Sequence, residues 1–127
     1  MTYRLDTASQ RAAIASAVTL SSTVDGKPVQ TTGYLYQPDT INAYDAWPQL
    51  VRGRVTTRCF GETDWTVLCA LPGADLQSAA AAADALLENL IDACLGLGQI
   101  TLWQPARIAV IDQPQAWVPG LQIDLTI

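Results

Sequence analysis

The chain has 127 residues, half of them apolar and 15% charged, with a net charge of −5 and no histidine. That length fits one domain, residues 1–127, with a real core, and the apolar share excludes an intrinsically disordered chain. The acidic balance argues against binding a phosphate backbone, and the lack of histidine removes a Cys–His nucleophile and most zinc sites.

The first residues, Met-Thr-Tyr-Arg, lack the apolar segment of a signal peptide, and no run approaches the length of a membrane span. Neither a secreted chain nor a membrane partner is expected. Cys59, Cys69 and Cys94 are odd in number, widely spaced and set among apolar residues, which fits free buried thiols in a reducing compartment.

Thr7 to Leu20 predicts a first helix, capped by Thr7 or Asp6, with Gln10 placed to complete a capping box from Thr7. Ala12, Ile14, Ala15 and Val18 form its modest apolar face, and Ser21-Ser22-Thr23 dissolves its end into a turn. Asp25-Gly26 signals a hairpin between Thr23-Val24 and Pro28-Val29-Gln30, and Pro28 confines that ribbon to an edge. Gly33 to Gln37 predicts a short strand, followed by a turn-rich loop from Thr40 to Asp45.

Ala46 to Cys59 predicts one or two strands with a bulge at Gly53. Read without a bulge, Leu50, Arg52, Arg54, Thr56 and Arg58 share one face, and the more apolar Val51, Gly53, Val55, Thr57 and Cys59 share the other and turn to the core. Arg52, Arg54 and Arg58 are the one local basic cluster, suited to salt bridges or an interface. Gly61 to Asp64 reads as the turn into a central strand around Trp65, Val67 and Cys69, apolar enough to be buried on both sides.

Pro72-Gly73 ends that strand, and Asp75 is placed to cap a long helix over about 75–96. Ala80, Ala83, Leu87, Leu90, Ile91 and Cys94 recur at helical spacing as one apolar face, while Asp84, Glu88 and Asp92 fall four apart as an acidic stripe. That stripe reads as a solvated face or as a surface for a basic partner. Gly96 and Gly98 stop the helix. Ala106 to Asp112 predicts a further strand broken by Pro114, with Trp117-Val118-Pro119-Gly120 as a link. Leu121, Ile123, Leu125 and Ile127 alternate with Gln122, Asp124 and Thr126 in a half-buried final strand. The order predicts an α+β domain: a largely antiparallel sheet covered on one face by two α-helices, its other face meeting water or another subunit.

The layout resembles the tail terminator (head–tail joining) family of long-tailed bacteriophages of actinobacteria. The resemblance lies in the loop Pro38-Asp39-Thr40-Ile41-Asn42-Ala43, the strand start Trp47-Pro48-Gln49-Leu50-Val51 and the central strand Trp65-Thr66-Val67-Leu68-Cys69. It continues through Ala80–Asp92 and its end Leu90-Ile91-Asp92-Ala93-Cys94, then Ala106–Asp112 and the final strand Gly120–Ile127; Ser21–Tyr36 does not align to it. The resemblance implies a structural virion protein of the tail and neck, assembled in the host cytoplasm. Its partners would be further copies in a six-membered ring, the tail tube protein, a head-side connector or stopper, and DNA passing through the lumen without specific binding.

No catalytic motif, cofactor site or metal site is expected. An enzyme would need a carboxylate pair drawn from the loop acids Asp39, Asp45, Glu62, Asp64 and Asp75, and no spacing supports one. Other neck components and a small ligand-binding module remain as alternatives. For ring assembly, Asp39, Ile41, Tyr44 and Trp47 are expected on a loop reaching a neighbour, with Gln122, Asp124 and Thr126 on the outward row of a C-terminal edge strand. Trp103 and Trp117 are further loop aromatics of the kind enriched at interfaces, Trp117 being the stronger candidate.

Overall fold

Capping chemistry sets the start of the first helix. In the computed structural model, which describes residues 6–56 and 61–127, α1 spans Thr7–Ala17. Asp6 is its cap: one carboxylate oxygen accepts from the Ser9 amide at 2.9 Å and the other from the Ser9 hydroxyl at 2.7 Å. Gln10 does not close a capping box with Thr7; its side-chain oxygen accepts instead from the Thr63 hydroxyl at 2.8 Å. Ile14, Ala15 and Val18 are buried, whereas Ala12 is exposed.

The helix ends at Ala17, before Leu20, because Thr31 captures the following backbone. Its buried hydroxyl donates to the Val18 carbonyl and accepts from the Leu20 amide at 3.1 Å. The chain then enters a hairpin, β1 (Ser21–Val24) against β2 (Lys27–Gln30). Its two turn residues both have positive φ, Asp25 at 51° and Gly26 at 77°, as a primed turn requires. Ser21 to Thr23 is therefore strand rather than turn. The hairpin lies on the helix side, where the Asn89 side chain donates to the Ser22 hydroxyl at 2.9 Å.

The main sheet has the order β3-β4-β5-β7-β6, with β3 Thr32–Gly33, β4 Asp45–Val55, β5 Gly61–Ala70, β6 Gln99–Val110 and β7 Gln113–Thr126. Among the described strands only the β3–β4 pairing is parallel. The strand expected over Gly33 to Gln37 shrinks to two residues, since a Cβ on Gly33 would lie 1.8 Å from the Ala15 carbonyl oxygen, a close approach to α1 that only glycine permits.

In β4 the register shift falls between Leu50 and Arg52, not at Gly53. The expectation that the Val51, Gly53 and Val55 row faces the core is overturned. Asp45 to Pro48 are buried, every residue from Gln49 to Thr56 is exposed, and Val55 retains 73% of its accessible surface. No helix or loop of the described residues covers this half of β4, so both of its rows meet solvent, while Thr63 and Trp65 opposite it on β5 are buried. Thr57, Arg58 and Cys59 lie outside the described residues. Gly61 to Asp64, expected as the incoming turn, already belong to β5.

The long helix, α2, runs Ala80–Leu95 and starts later than the expected 75. Asp75 caps a preceding turn instead: its carboxylate accepts from the Ser78 amide at 2.8 Å, and the Ser78 hydroxyl accepts from the Asp75 amide at 3.1 Å. Ala82, Leu86, Leu90 and Cys94 form its buried seam, four residues apart, flanked by half-buried Ala83, Leu87 and Ile91; Ala80 is exposed. Asp84, Glu88 and Asp92 are exposed, a solvated acidic face.

The core is the layer between these helices and one sheet face. Ile14, Val18, Leu86 and Leu90 meet Trp65, Val67, Cys69, Leu121, Ile123 and Leu125. Each fully buried large apolar side chain there is worth about 1.5–3 kcal/mol relative to exposure. The α+β class and the largely antiparallel sheet with two helices on one face are as expected. The strands after α2 are longer. β6 begins at Gln99 and takes in Trp103-Gln104-Pro105, and β7 runs unbroken through Pro114 and Pro119.

Candidate functional site

Among the described residues the sheet face away from the helices is covered at one end by the segment around Ile41 and open over the rest. At one end Trp47, Leu68, Ala70 and Ile108 form a second small cluster, with Ile41 and Val118 packed against it. The remainder is polar. Register places Asp64 beside Thr126, Thr66 beside Asp124, and Leu68 beside Gln122.

These side chains are bonded to one another. Asp124 Oδ1 accepts from the Thr66 hydroxyl and from the Gln122 amide nitrogen, both at 3.1 Å. Asp64 accepts from the Thr126 hydroxyl at 2.8 Å, from Arg52 Nε at 3.1 Å and from Arg54, whose second nitrogen reaches Glu62 at 2.8 Å. The Thr126 hydroxyl, then the two guanidiniums, hold the Asp64 carboxyl below its ordinary value. A shallow depression of ≈ 290 Å³ lies along this row, bounded by Arg52, Arg54, Asp64, Thr66, Thr101 and Asp124.

Gln122, Asp124 and Thr126 are thus brought together on the outward row, half-exposed, as expected. Their strand is not an edge. β7 sits between β5 and β6, because β6 is long enough to pair along its whole outer side. Among the described residues the free edges are those of β6 and of β4 beyond the short β3 pairing.

In the loop group Trp47 alone departs from the expected exposure. Trp47 is fully buried in β4, where its indole N–H has no hydrogen-bond partner among the described residues, so it cannot reach a neighbour. Ile41 is half-buried against it, Asp39 is exposed, and Tyr44 is half-buried against the main core. Tyr44 carries φ 72°, with its amide donating to the Ala70 carbonyl at 2.7 Å, and burial raises its phenol pKa. Trp103 and Trp117 lie in β6 and β7 rather than in loops. Trp117 is half-buried under the Arg107 guanidinium, 4.7 Å from its ring centroid, while Trp103 is 48% exposed.

The large exposed apolar residues concentrate at the two edges. Tyr34, Leu35, Tyr36, Leu50, Val51 and Val55 lie on the β4 side; Leu102, Trp103 and Ile111 lie on or beside β6, with Leu95 at the end of α2. The periodicity of β6 gave no sign of this, because an uncovered edge strand is exposed on both faces. Trp103 also borders an apolar groove of ≈ 180 Å³ with Leu76, Leu87 and Pro105, between α2 and β6.

Of the loop acids, Glu62 and Asp64 lie two apart in β5 and share the Arg54 guanidinium, while the Asp75 carboxylate accepts from the Ser78 amide. Asp45 is buried and accepts from the Asn42 amide at 2.9 Å. Among the described residues no three His, Cys, Asp or Glu are grouped as metal ligands, and no helix is long and apolar enough to cross a membrane. Cys69 and Cys94 are free thiols in the core, and burial pushes them up to about 12 and about 11. No protein-family model, curated protein or solved structure matches the chain.

Proposed function

We propose that the chain is a ring-forming structural protein of a bacteriophage tail, a tail terminator that caps the tube and presents a surface to the head-side connector. The observation that carries this reading is an uncovered, half-polar sheet face flanked by two exposed edges with apolar side chains. A monomer working alone gains nothing from such edges, and natural sheets usually blunt them. The pattern resemblance along the Pro38–Ala43 loop, the central strand and the final strand supplies the viral context.

In this role the protein acts by shape and interface complementarity, without catalysis or a cofactor. Its partners are further copies of itself, six in a closed ring, together with the tube protein and a connector or stopper. The net charge of −5 suits a channel through which DNA slides without adhering. The protein resides in the neck of the virion after assembly in the host cytoplasm. A ligand-binding module is the weaker reading: the apolar groove of ≈ 180 Å³ is below the roughly 300–1,000 Å³ of small-molecule pockets, and the hollow of ≈ 360 Å³ beside Gln37, Gln49, Arg107 and Gln122 is open and largely polar where such pockets are mostly apolar.

Imaging of purified particles tests the proposal. A single ring of this chain on the end of the tail tube supports the terminator. A ring against the portal, with another protein between it and the tube, moves the assignment to connector or stopper. Absence from every particle refutes a virion role.

A further inference from the structure

We propose that copies of this chain join head to tail, with the Gln49–Val55 segment of one copy adding as a strand to the free edge of β6 in the next. The inference deepens the ring reading and rests on it for closure, while the joint itself follows from the sheet.

Strand parity fixes how two copies can meet. β4, β5, β7 and β6 are each antiparallel to their neighbours, so the two free edges run in opposite directions. Two copies in the same orientation therefore set β4 of one beside β6 of the other as an antiparallel pair, and the sheet continues across the joint. Repeating one such heterologous contact closes a ring when the rotation permits.

The edge side chains agree. Leu50, Val51 and Val55 are exposed on the donor segment, and Leu102 and Trp103 on the receiving strand. Pairing these edges covers both sets at once, whereas a joint of β6 with β6 leaves the donor set in water.

Charge then chooses between partners. On the uncovered face the donor carries Arg52, 68% exposed, and Arg54. A joint of β4 with β4 would set these arginines against their own copies, which is unfavourable on adjacent strands. The β6 row on that face is Leu102, Gln104 and Ala106, without charge, and one strand behind it lies Asp124, which makes no ion pair among the described residues. The donor guanidiniums, held on their inner side by Asp64 and Glu62, therefore turn their outer side to a neutral edge backed by a carboxylate.

The test uses the full chain in a Cys59→Ser background, with one preparation carrying Val55→Cys and the other Thr101→Cys, both at exposed positions. The preparations are treated separately and mixed with a short bismaleimide. The joint predicts covalent dimers in the mixture and none in either preparation alone, with the mixed yield falling several-fold on adding Arg52→Glu to the Val55→Cys chain. Dimers within either single preparation overturn the joint in favour of a two-fold contact. A closed oligomer with no mixed cross-link also overturns it and leaves the ring reading standing. An open, cross-linked ladder keeps the joint and removes the ring. Monomers at every concentration, even with tube protein present, remove both.

Discussion

Trp47 and Trp65 are both fully buried, yet their indole N–H groups have different surroundings, and the difference predicts unequal costs for the same substitution. Trp65 Nε1 donates to the Thr63 hydroxyl at 2.8 Å, and that hydroxyl donates onward to Gln10 at 2.8 Å, so the bond ties β5 to α1. Trp47 Nε1 has no partner among the described residues. Trp→Phe removes similar ring volume at each site, so the cavity contributions largely cancel in the comparison. At Trp65 the change also removes a hydrogen bond with a net value of about 0.5–1.5 kcal/mol. At Trp47 it removes an unsatisfied buried donor, relieving about 1–3 kcal/mol. Trp65→Phe should therefore be about 1.5–4.5 kcal/mol more destabilising than Trp47→Phe. With a urea slope of about 1–3 kcal/mol per molar for a small domain, the two midpoints should separate on the order of 1 M. Urea unfolding followed by far-ultraviolet circular dichroism reads this without relying on tryptophan emission. A Trp47→Phe variant as destabilised as Trp65→Phe would refute the hydrogen-bond assignment.

Further outcomes follow from the packing. Gly33→Ala should destabilise by more than about 2 kcal/mol in thermal unfolding, since its Cβ would meet the Ala15 carbonyl oxygen at 1.8 Å, whereas Gly26→Ala should cost only about 1 kcal/mol, because open space leaves positive φ as the sole penalty. Cys69 and Cys94 should resist iodoacetamide at pH 8 in the native protein and react once urea unfolds it, as peptide mass spectrometry would show. The same two thiols have folded pKa values of about 12 and about 11 against an ordinary 9.0. Their contribution to stability is complete below pH 9 and declines as pH rises through the folded values, by at most about 1.4 kcal/mol per pH unit for each thiol. Alkaline denaturation in Cys69→Ala and Cys94→Ala variants should be correspondingly shallower.

The elements that could be read from sequence are those whose side chains report a single environment. β5 is apolar on both rows only from Val67 to Ala70, where the helices cover one row and the Trp47 cluster the other; before that its outer row is Glu62, Asp64 and Thr66. The Asp25-Gly26 turn and the alternation from Leu121 to Ile127 announce themselves in the same way, through local chemistry and a half-buried face. The arm from Gln49 to Val55 misled because alternation reports which residues share a face, not whether anything covers it. β6 escaped notice for a related reason: Gln99 to Pro105 face solvent on most sides, and Pro105 is tolerated there because an edge strand has an outer side with no ladder to serve. Pro119 is tolerated inside β7 where β5 has ended, with its carbonyl accepting from the Leu71 amide at 2.9 Å. Trp47 looked like a loop aromatic because the segment that covers it, around Ile41, is irregular and brings the two together only in three dimensions. The polar row Gln122, Asp124 and Thr126 was visible from periodicity, but its partners Thr66 and Asp64 depend on strand order, which no local pattern encodes.

The most direct test of the terminator reading is to add the purified chain to tail tube protein while tubes are growing and to measure the tube length distribution by negative-stain microscopy. A terminator stops the tubes from lengthening, with one ring of this chain seated on an end. Tubes that grow to the same lengths with and without the chain, while it stays in the supernatant, would contradict it.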